Sequence, residues 1–136
     1  MTKDFSEGGC MCGAVRFRVL GDPESVPYCH CGDCRRWSGA PVSLFAAYPA
    51  ERFEALRGEA ETYQSSPGVR RSFCGRCGTS LFYEDERLPG EVYPTVGSFD
   101  EPDRFRPTGH SWSSSGYAGM KISDDLLHHD QSARPR

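Results

Sequence analysis

Between Gly13 and Gly21 the chain alternates apolar and polar positions, with Val15, Phe17 and Val19 on one face of residues 14–19. Strand side chains repeat every two residues, so this pattern predicts a half-buried strand. The Gly21-Asp22-Pro23 triplet then turns the chain. Residues 42–48 form a short apolar run, which predicts a buried strand. Residues 53–56 and 61–64 predict two more strands, with a bend at Arg57-Gly58 between them. A strand over 69–73 leads into a Cys-Gly-Arg-Cys group, and another over 80–83 leads out of it. Residues 88–91 read as a loop and 92–97 as a strand, whose Pro94 puts it at an edge or a bulge. Residues 108–113 predict a last strand. Helical signals are confined to 33–38, a single turn ended by Gly39 and Pro41. The expected fold class is therefore all-β, a single domain over residues 1–123, with the polar residues 124–136 as a flexible C-terminal tail.

Composition sharpens this picture. A chain of 136 residues can bury a real but modest core, and its 37% hydrophobic content is below the usual share. Metal staples offset a thin core in other small folds. Fifteen Gly and ten Pro favour turns over long helices. The formal net charge of -3 and pI near 5.8 argue against a nucleic-acid binder, which carries a basic excess. Residues 1–9 hold three charged residues and no apolar run, so no signal peptide is expected. No apolar run is long enough to predict a membrane span. A reducing cytoplasm is the expected location for thiols kept as metal ligands.

The seven cysteines fall in three tight groups: Cys10 and Cys12; Cys29, Cys31 and Cys34; Cys74 and Cys77. Thiolates two or three residues apart converge readily on one ion, and zinc is the usual occupant. On an extended segment Cys10 and Cys12 would share a face. The Cys74-x-x-Cys77 knuckle is their natural complement, giving a closed structural zinc site. Cys29, Cys31 and Cys34 then form a second, open site able to do chemistry. The competing assignment pairs this group with one of the others and leaves some cysteines as core residues. On extended backbone His30 points away from Cys29 and Cys31, which gives it a supporting or surface role rather than ligation. His110 could reach the open site from a distant strand, although a packing or hydrogen-bonding role is the commoner one for a lone histidine.

Three thiolates outweigh the charge of a zinc ion and leave a net of about -1. Such a centre is a weak Lewis acid and a poor generator of hydroxide. It suits a soft incoming donor, a thiol, whose thiolate could attack a small electrophile such as an aldehyde carbon.

Three blocks, Gly9-Cys10-Met11-Cys12-Gly13-Ala14-Val15, the run from Cys29 to Ala40, and the run from Phe73 to Leu81, resemble the glutathione-dependent formaldehyde-activating enzyme family, whose domain is shared with centromere protein V. Val96-Gly97-Ser98 and His110 also fit, so the resemblance covers roughly residues 8 to 112. It implies a mostly antiparallel β-tent with two zinc ions. The structural ion would sit on Cys10, Cys12, Cys74 and Cys77, and the catalytic ion on Cys29, Cys31 and Cys34. It also implies a carbon–sulfur lyase chemistry joining glutathione to formaldehyde, so the expected partners are a small thiol and a small aldehyde.

Glutathione carries two carboxylates, which call for cationic or backbone donors. Arg35, close after Cys34, is the preferred contact, and Ser38, Gly39 and Ala40 could add backbone N–H groups. Arg36, Arg70 and Arg71 read equally well as solvated surface residues. Trp37, Phe45, Tyr83 and Trp112 read as core or pocket wall. The alternatives to an enzyme are a non-catalytic zinc-binding module for a protein partner, a zinc ribbon for nucleic acid, which the acidic balance disfavours, and a redox role for Cys29 to Cys34.

Overall fold

The computed structural model describes residues 4–132. Strand β1 (Phe5–Gly9) pairs antiparallel with β2 (Arg16–Leu20), which pairs in turn with β6 (Phe53–Arg57). A second sheet runs in the order β5 (Tyr48–Pro49), β10 (Glu91–Pro94), β9 (Ser80–Asp85), β8 (Val69–Phe73) and β7 (Glu61–Ser66). A third places β3 (Pro27–Cys29) between β4 (Ser43–Leu44) and β11 (Gly109–Ser111). All named pairings are antiparallel except β11 on β3. The one α-helix among the described residues is α1 (Gly32–Ser38).

The alternation around Val15, Phe17 and Val19 forms the inner face of the first sheet, and all three are buried. Phe17 lies at the centre, with the rings of Phe53 and Phe99 at 5.5 and 5.2 Å. Such aromatic packing adds to simple area burial. A second cluster of Cys34, Phe45, Ala47, Leu88 and Tyr93 forms the floor beneath the three-cysteine group.

Several elements differ from the sequence reading, each for a local reason. The apolar run 42–48 is not one strand: it gives β4, then the isolated bridges of Phe45 to Thr95 and Ala47 to Ser25, then β5. The chain crosses from one sheet to another here, and both sides of the crossing are buried. The strand expected over 92–97 stops at Pro94, and Val96–Ser98 is a 3₁₀ turn. Proline supplies no N–H to extend the ladder. Strands β6 and β7 flank the bend at Gly58 but belong to different sheets. Residues 124–131, set apart in sequence as a tail, run beside β11. The Leu127 carbonyl accepts from the His110 amide at 2.9 Å, and the Gln131 carbonyl accepts from the Trp112 amide at 2.8 Å.

Candidate metal centres and the cavity between the sheets

The seven cysteines are free thiols in two clusters. Cys10, Cys12, Cys74 and Cys77 have sulfur atoms within 4.8 Å of one another. The Cys10 and Cys12 sulfurs lie 3.6 Å apart, and those of Cys12 and Cys74 lie 3.8 Å apart. Zinc–sulfur bonds of about 2.3 Å in a tetrahedron place neighbouring sulfurs about 3.8 Å apart, so the four thiols fit such an ion. The convergence of Cys10 and Cys12 does not come from strand alternation. Met11 and Cys12 form a turn just after β1, closed by the Gly13 amide donating to the Cys10 carbonyl at 3.1 Å. The knuckle opposite wraps its own sulfur: the Arg76 and Cys77 amides approach Cys74 Sγ at 3.4 and 3.5 Å. Gly78, at φ 81°, takes the left-handed conformation that lets the chain leave the knuckle into β9. The Thr79 hydroxyl, then its backbone, draws the Cys77 thiol down to about 5.

Cys29, Cys31 and Cys34 form the other cluster, also within 4.8 Å. Cys29 ends β3, Cys31 caps α1, and Cys34 is the buried position of that helix. Cys29 and Cys31 Sγ lie 3.5 Å apart, and the Cys34 amide donates to Cys31 Sγ at 3.3 Å. Hydrogen bonds from Cys29 and Cys34 pull the Cys31 thiol down to about 2, with the Cys34 amide and the positive Arg71 assisting. The same contact with Cys31, then Cys34 and burial, drives Cys29 strongly upward. Three clustered sulfurs thus resist carrying three negative charges together unless a cation joins them. That demand, together with the spacing, is why a soft divalent ion fits this donor set.

These sulfurs stand on the wall of a cavity of about 400 Å³ that Phe45, Arg71, Tyr83 and Trp112 also line. Arg71 is the charged residue that the sequence undervalued. It is 4% exposed on β8, donates to Cys34 Sγ at 3.5 Å and to Ser65 Oγ at 2.9 Å, and lies against the rings of Trp37 and Tyr83. Burial works to discharge it, but the Cys34 and Cys31 sulfurs hold the guanidinium charged. Strand alternation from the buried Val69 was the available signal, since it turns Arg71 inward and Arg70 outward. Trp112 holds φ 56°, a left-handed conformation that bulky residues rarely adopt, at the edge of this cavity.

Arg35, Ser38 and Gly39 are not on this cavity. Arg35 is exposed and borders a shallow depression with Arg36, Pro41 and Tyr117. Ser38 lines a groove beside Cys77 and Thr79, and Gly39 borders both that groove and the depression. One helical residue beyond Cys34 turns the side chain by about 100°, so closeness in sequence puts Arg35 on the outer face. His30 does turn away from the cysteines, but it is buried rather than at the surface. Its Nε2 lies 2.8 Å from Nδ1 of His110, which is fully buried. Neither histidine belongs to a cysteine cluster.

A family profile described as "Glutathione-dependent formaldehyde-activating enzyme" matches residues 5–115. A Halomonas elongata protein named "Putative glutathione-dependent formaldehyde-activating enzyme" is 34% identical over 105 residues, covering 69% of this chain and 65% of the relative. An uncharacterised lyase of Schizosaccharomyces pombe is 30% identical over 77 residues, covering 57% of this chain and 56% of the relative. The chain thus spans 65% and 56% of the lengths of these relatives. The crystal structure of a Rhodobacter sphaeroides protein superposes with a TM-score of 0.59 at 24% identity, covering 69% of this chain and 87% of the other, which supports the fold. The extent of the profile match establishes that this chain belongs to the glutathione-dependent formaldehyde-activating enzyme family.

Proposed function

We propose that this protein is a zinc-dependent, carbon–sulfur lyase-like enzyme acting on adducts of a thiol, glutathione, with a small aldehyde such as formaldehyde. The observation that carries the reading is the convergence of Cys29, Cys31 and Cys34 on a cavity that also receives the buried Arg71. Cys29, Cys31 and Cys34 would hold the catalytic ion, and Cys10, Cys12, Cys74 and Cys77 the structural one. A zinc ion with three thiolate ligands and one open position supplies affinity for a soft donor and favours that donor's deprotonated form.

The chain's own residues do the rest. Arg71 offsets the negative charge that three thiolates gather, and its contacts with Trp37 and Tyr83 fix the guanidinium in place. The aromatic and apolar walls of Phe45, Tyr83 and Trp112 limit water beside the reacting sulfur. In the synthetic direction the thiol sulfur forms a bond to the aldehyde carbon, and the carbonyl π pair moves to oxygen. The proton lost by the thiol is balanced by one gained at that oxygen, giving a hydroxymethyl thioether. The reverse breaks the same carbon–sulfur bond. A position inside the cell agrees with both the thiol ligands and a glutathione substrate.

Cobalt substitution followed by glutathione titration tests this. The expected result is a saturable change in the d–d and thiolate charge-transfer bands that disappears in Cys31→Ser. An unchanged spectrum with both centres filled would refute glutathione as a ligand and leave the choice between another thiol and the non-catalytic module.

A further inference from the structure

Behind the three-cysteine group lies a chain of side chains, two buried histidines ending on Asp124 at the surface, that the chemistry above does not use. His30 stands between Cys29 and Cys31, and its Nε2 meets His110 Nδ1 at 2.8 Å. The other ring nitrogen of His110, Nε2, meets Asp124 Oδ2 at 3.0 Å. Backbone pairing holds both ends in register. The His30 amide donates to the Ser111 carbonyl at 3.0 Å, while β11 lies parallel to β3 with His110 opposite Tyr28. From the other side the His110 amide donates to Leu127 and its carbonyl accepts from His129, each at 2.9 Å.

His110, Asp124 and His128 also lie close enough together to be considered for a metal. The geometry speaks against it. The His110 and His128 rings are stacked at 4.0 Å with planes only 7° apart. In-plane nitrogen lone pairs on parallel rings run side by side instead of converging. His128 Nδ1 and the Ser113 hydroxyl are moreover within hydrogen-bond distance at 3.1 Å. Hydrogen bonding is what this cluster is built for.

We propose that Asp124 and His110 are positioning residues, which fix the His110 tautomer and thereby hold the Cys29-His30-Cys31 loop with both thiols facing the cavity. An ionised carboxylate only accepts, so His110 Nε2 carries the proton. A neutral imidazole then has an acceptor at Nδ1, and the His30 Nε2–H donates to it. This assignment holds whether or not His30 is charged. The His110 N–H keeps the Asp124 carboxyl below the usual carboxylate range, in keeping with an ionised acceptor. With His30 anchored, its two neighbours on extended backbone are turned the other way. Groups that orient ligands from behind commonly carry part of the metal affinity. The effect on metal rests on reading the three cysteines as a metal centre, whereas the tautomer does not.

Long-range ¹H–¹⁵N correlation spectra of the full-length protein read the tautomer directly. The expected result is a proton on His110 Nε2 and none on Nδ1, lost in Asp124→Ala and retained in Asp124→Asn, whose amide oxygen still accepts. A proton on Nδ1 in the unsubstituted protein, alone or with one on Nε2, would overturn the relay whether or not the variants fold. Chelator competition on the zinc-loaded variants reads the consequence. Asp124→Ala should weaken the three-cysteine centre about ten-fold, leave the four-cysteine centre unchanged, and be largely rescued by Asp124→Asn. Equal weakening of both centres, or no weakening, would refute positioning. A three-cysteine centre that takes no metal in the unsubstituted protein would instead refute the proposed function, with the spectra still deciding the relay.

Discussion

At the scale of single residues, Arg70 and Arg71 show how far apart two identical neighbours can stand. Arg70 is exposed and meets Glu84 at 3.1 Å on the outer face of the sheet. Arg71 is buried, charged, and touches Cys34, Ser65, Trp37 and Tyr83. An exposed ion pair contributes roughly 0–1 kcal/mol because water screens it and side-chain entropy opposes it. Removing one partner of a buried charged cluster costs about 3–5 kcal/mol. Arg71→Ala should therefore lower the unfolding free energy of the zinc-loaded protein by about 3 kcal/mol, and Arg70→Ala by less than about 1 kcal/mol. Urea unfolding of the two variants side by side checks this, and similar losses would show that the guanidinium is not an anchor. The alternation that separates the two was present in the sequence, but nothing along the chain marked the inner face of β8 as facing a thiol cluster. For the same reason Arg35 looked like the better contact: sequence distance was visible, and helix rotation against the cavity was not.

At the scale of elements, patterned segments were legible and unpatterned ones were not. Strands β2, β8 and β9 and the helical turn after Cys31 carry periodic or punctuating residues, and they stand where those residues predict. Strand β1 escaped because its inward positions are Ser6 and Gly8, both buried but neither apolar. Gly8 is there for space. A Cβ at that position would meet the Ser98 carbonyl oxygen at 2.5 Å, Phe17 Cζ at 2.8 Å and Phe99 Cα at 2.9 Å. Two of these three are backbone atoms, which cannot swing aside. Gly8→Ala should accordingly cost about 2 kcal/mol, the usual scale of overpacking. Thermal denaturation of the variant measures it, and a loss below about 0.5 kcal/mol would mean that β1 shifts freely against the core. Such a shift would also loosen Cys10, two residues further on, so the zinc content of the variant is the companion measurement.

At the scale of the whole molecule, the two cysteine clusters tie very different lengths of chain. Cys12 and Cys74 are 62 residues apart, and an ion between them joins the turn after β1 to the β8–β9 hairpin. The sequence spacing already pointed to this pairing, although it could not show that a turn, not a strand, brings Cys10 and Cys12 together. Cys29 and Cys31 are two residues apart, and Cys34 follows on the first turn of α1. Closing a loop of about 60 residues removes roughly 4 kcal/mol of unfolded-state entropy, against roughly 2 kcal/mol for one of about six residues. Loss of the four-cysteine ion should therefore be the more damaging. For a domain of this size about 4 kcal/mol corresponds to a fall of some 12 °C in the melting temperature. Cys74→Ser should show about that fall together with the loss of one zinc per chain. Cys31→Ser should lose one zinc with about half the fall, keep its far-ultraviolet circular dichroism, and lose the glutathione response. Calorimetry combined with zinc analysis separates the two cases. Equal falls would mean that the three-cysteine cluster also bears on the fold, and the division between a structural and a chemical centre would have to be abandoned. A small fall for Cys74→Ser with full zinc retained would point instead to a site that tolerates three thiolates, and the stabilisation would then lie in the Phe17 core.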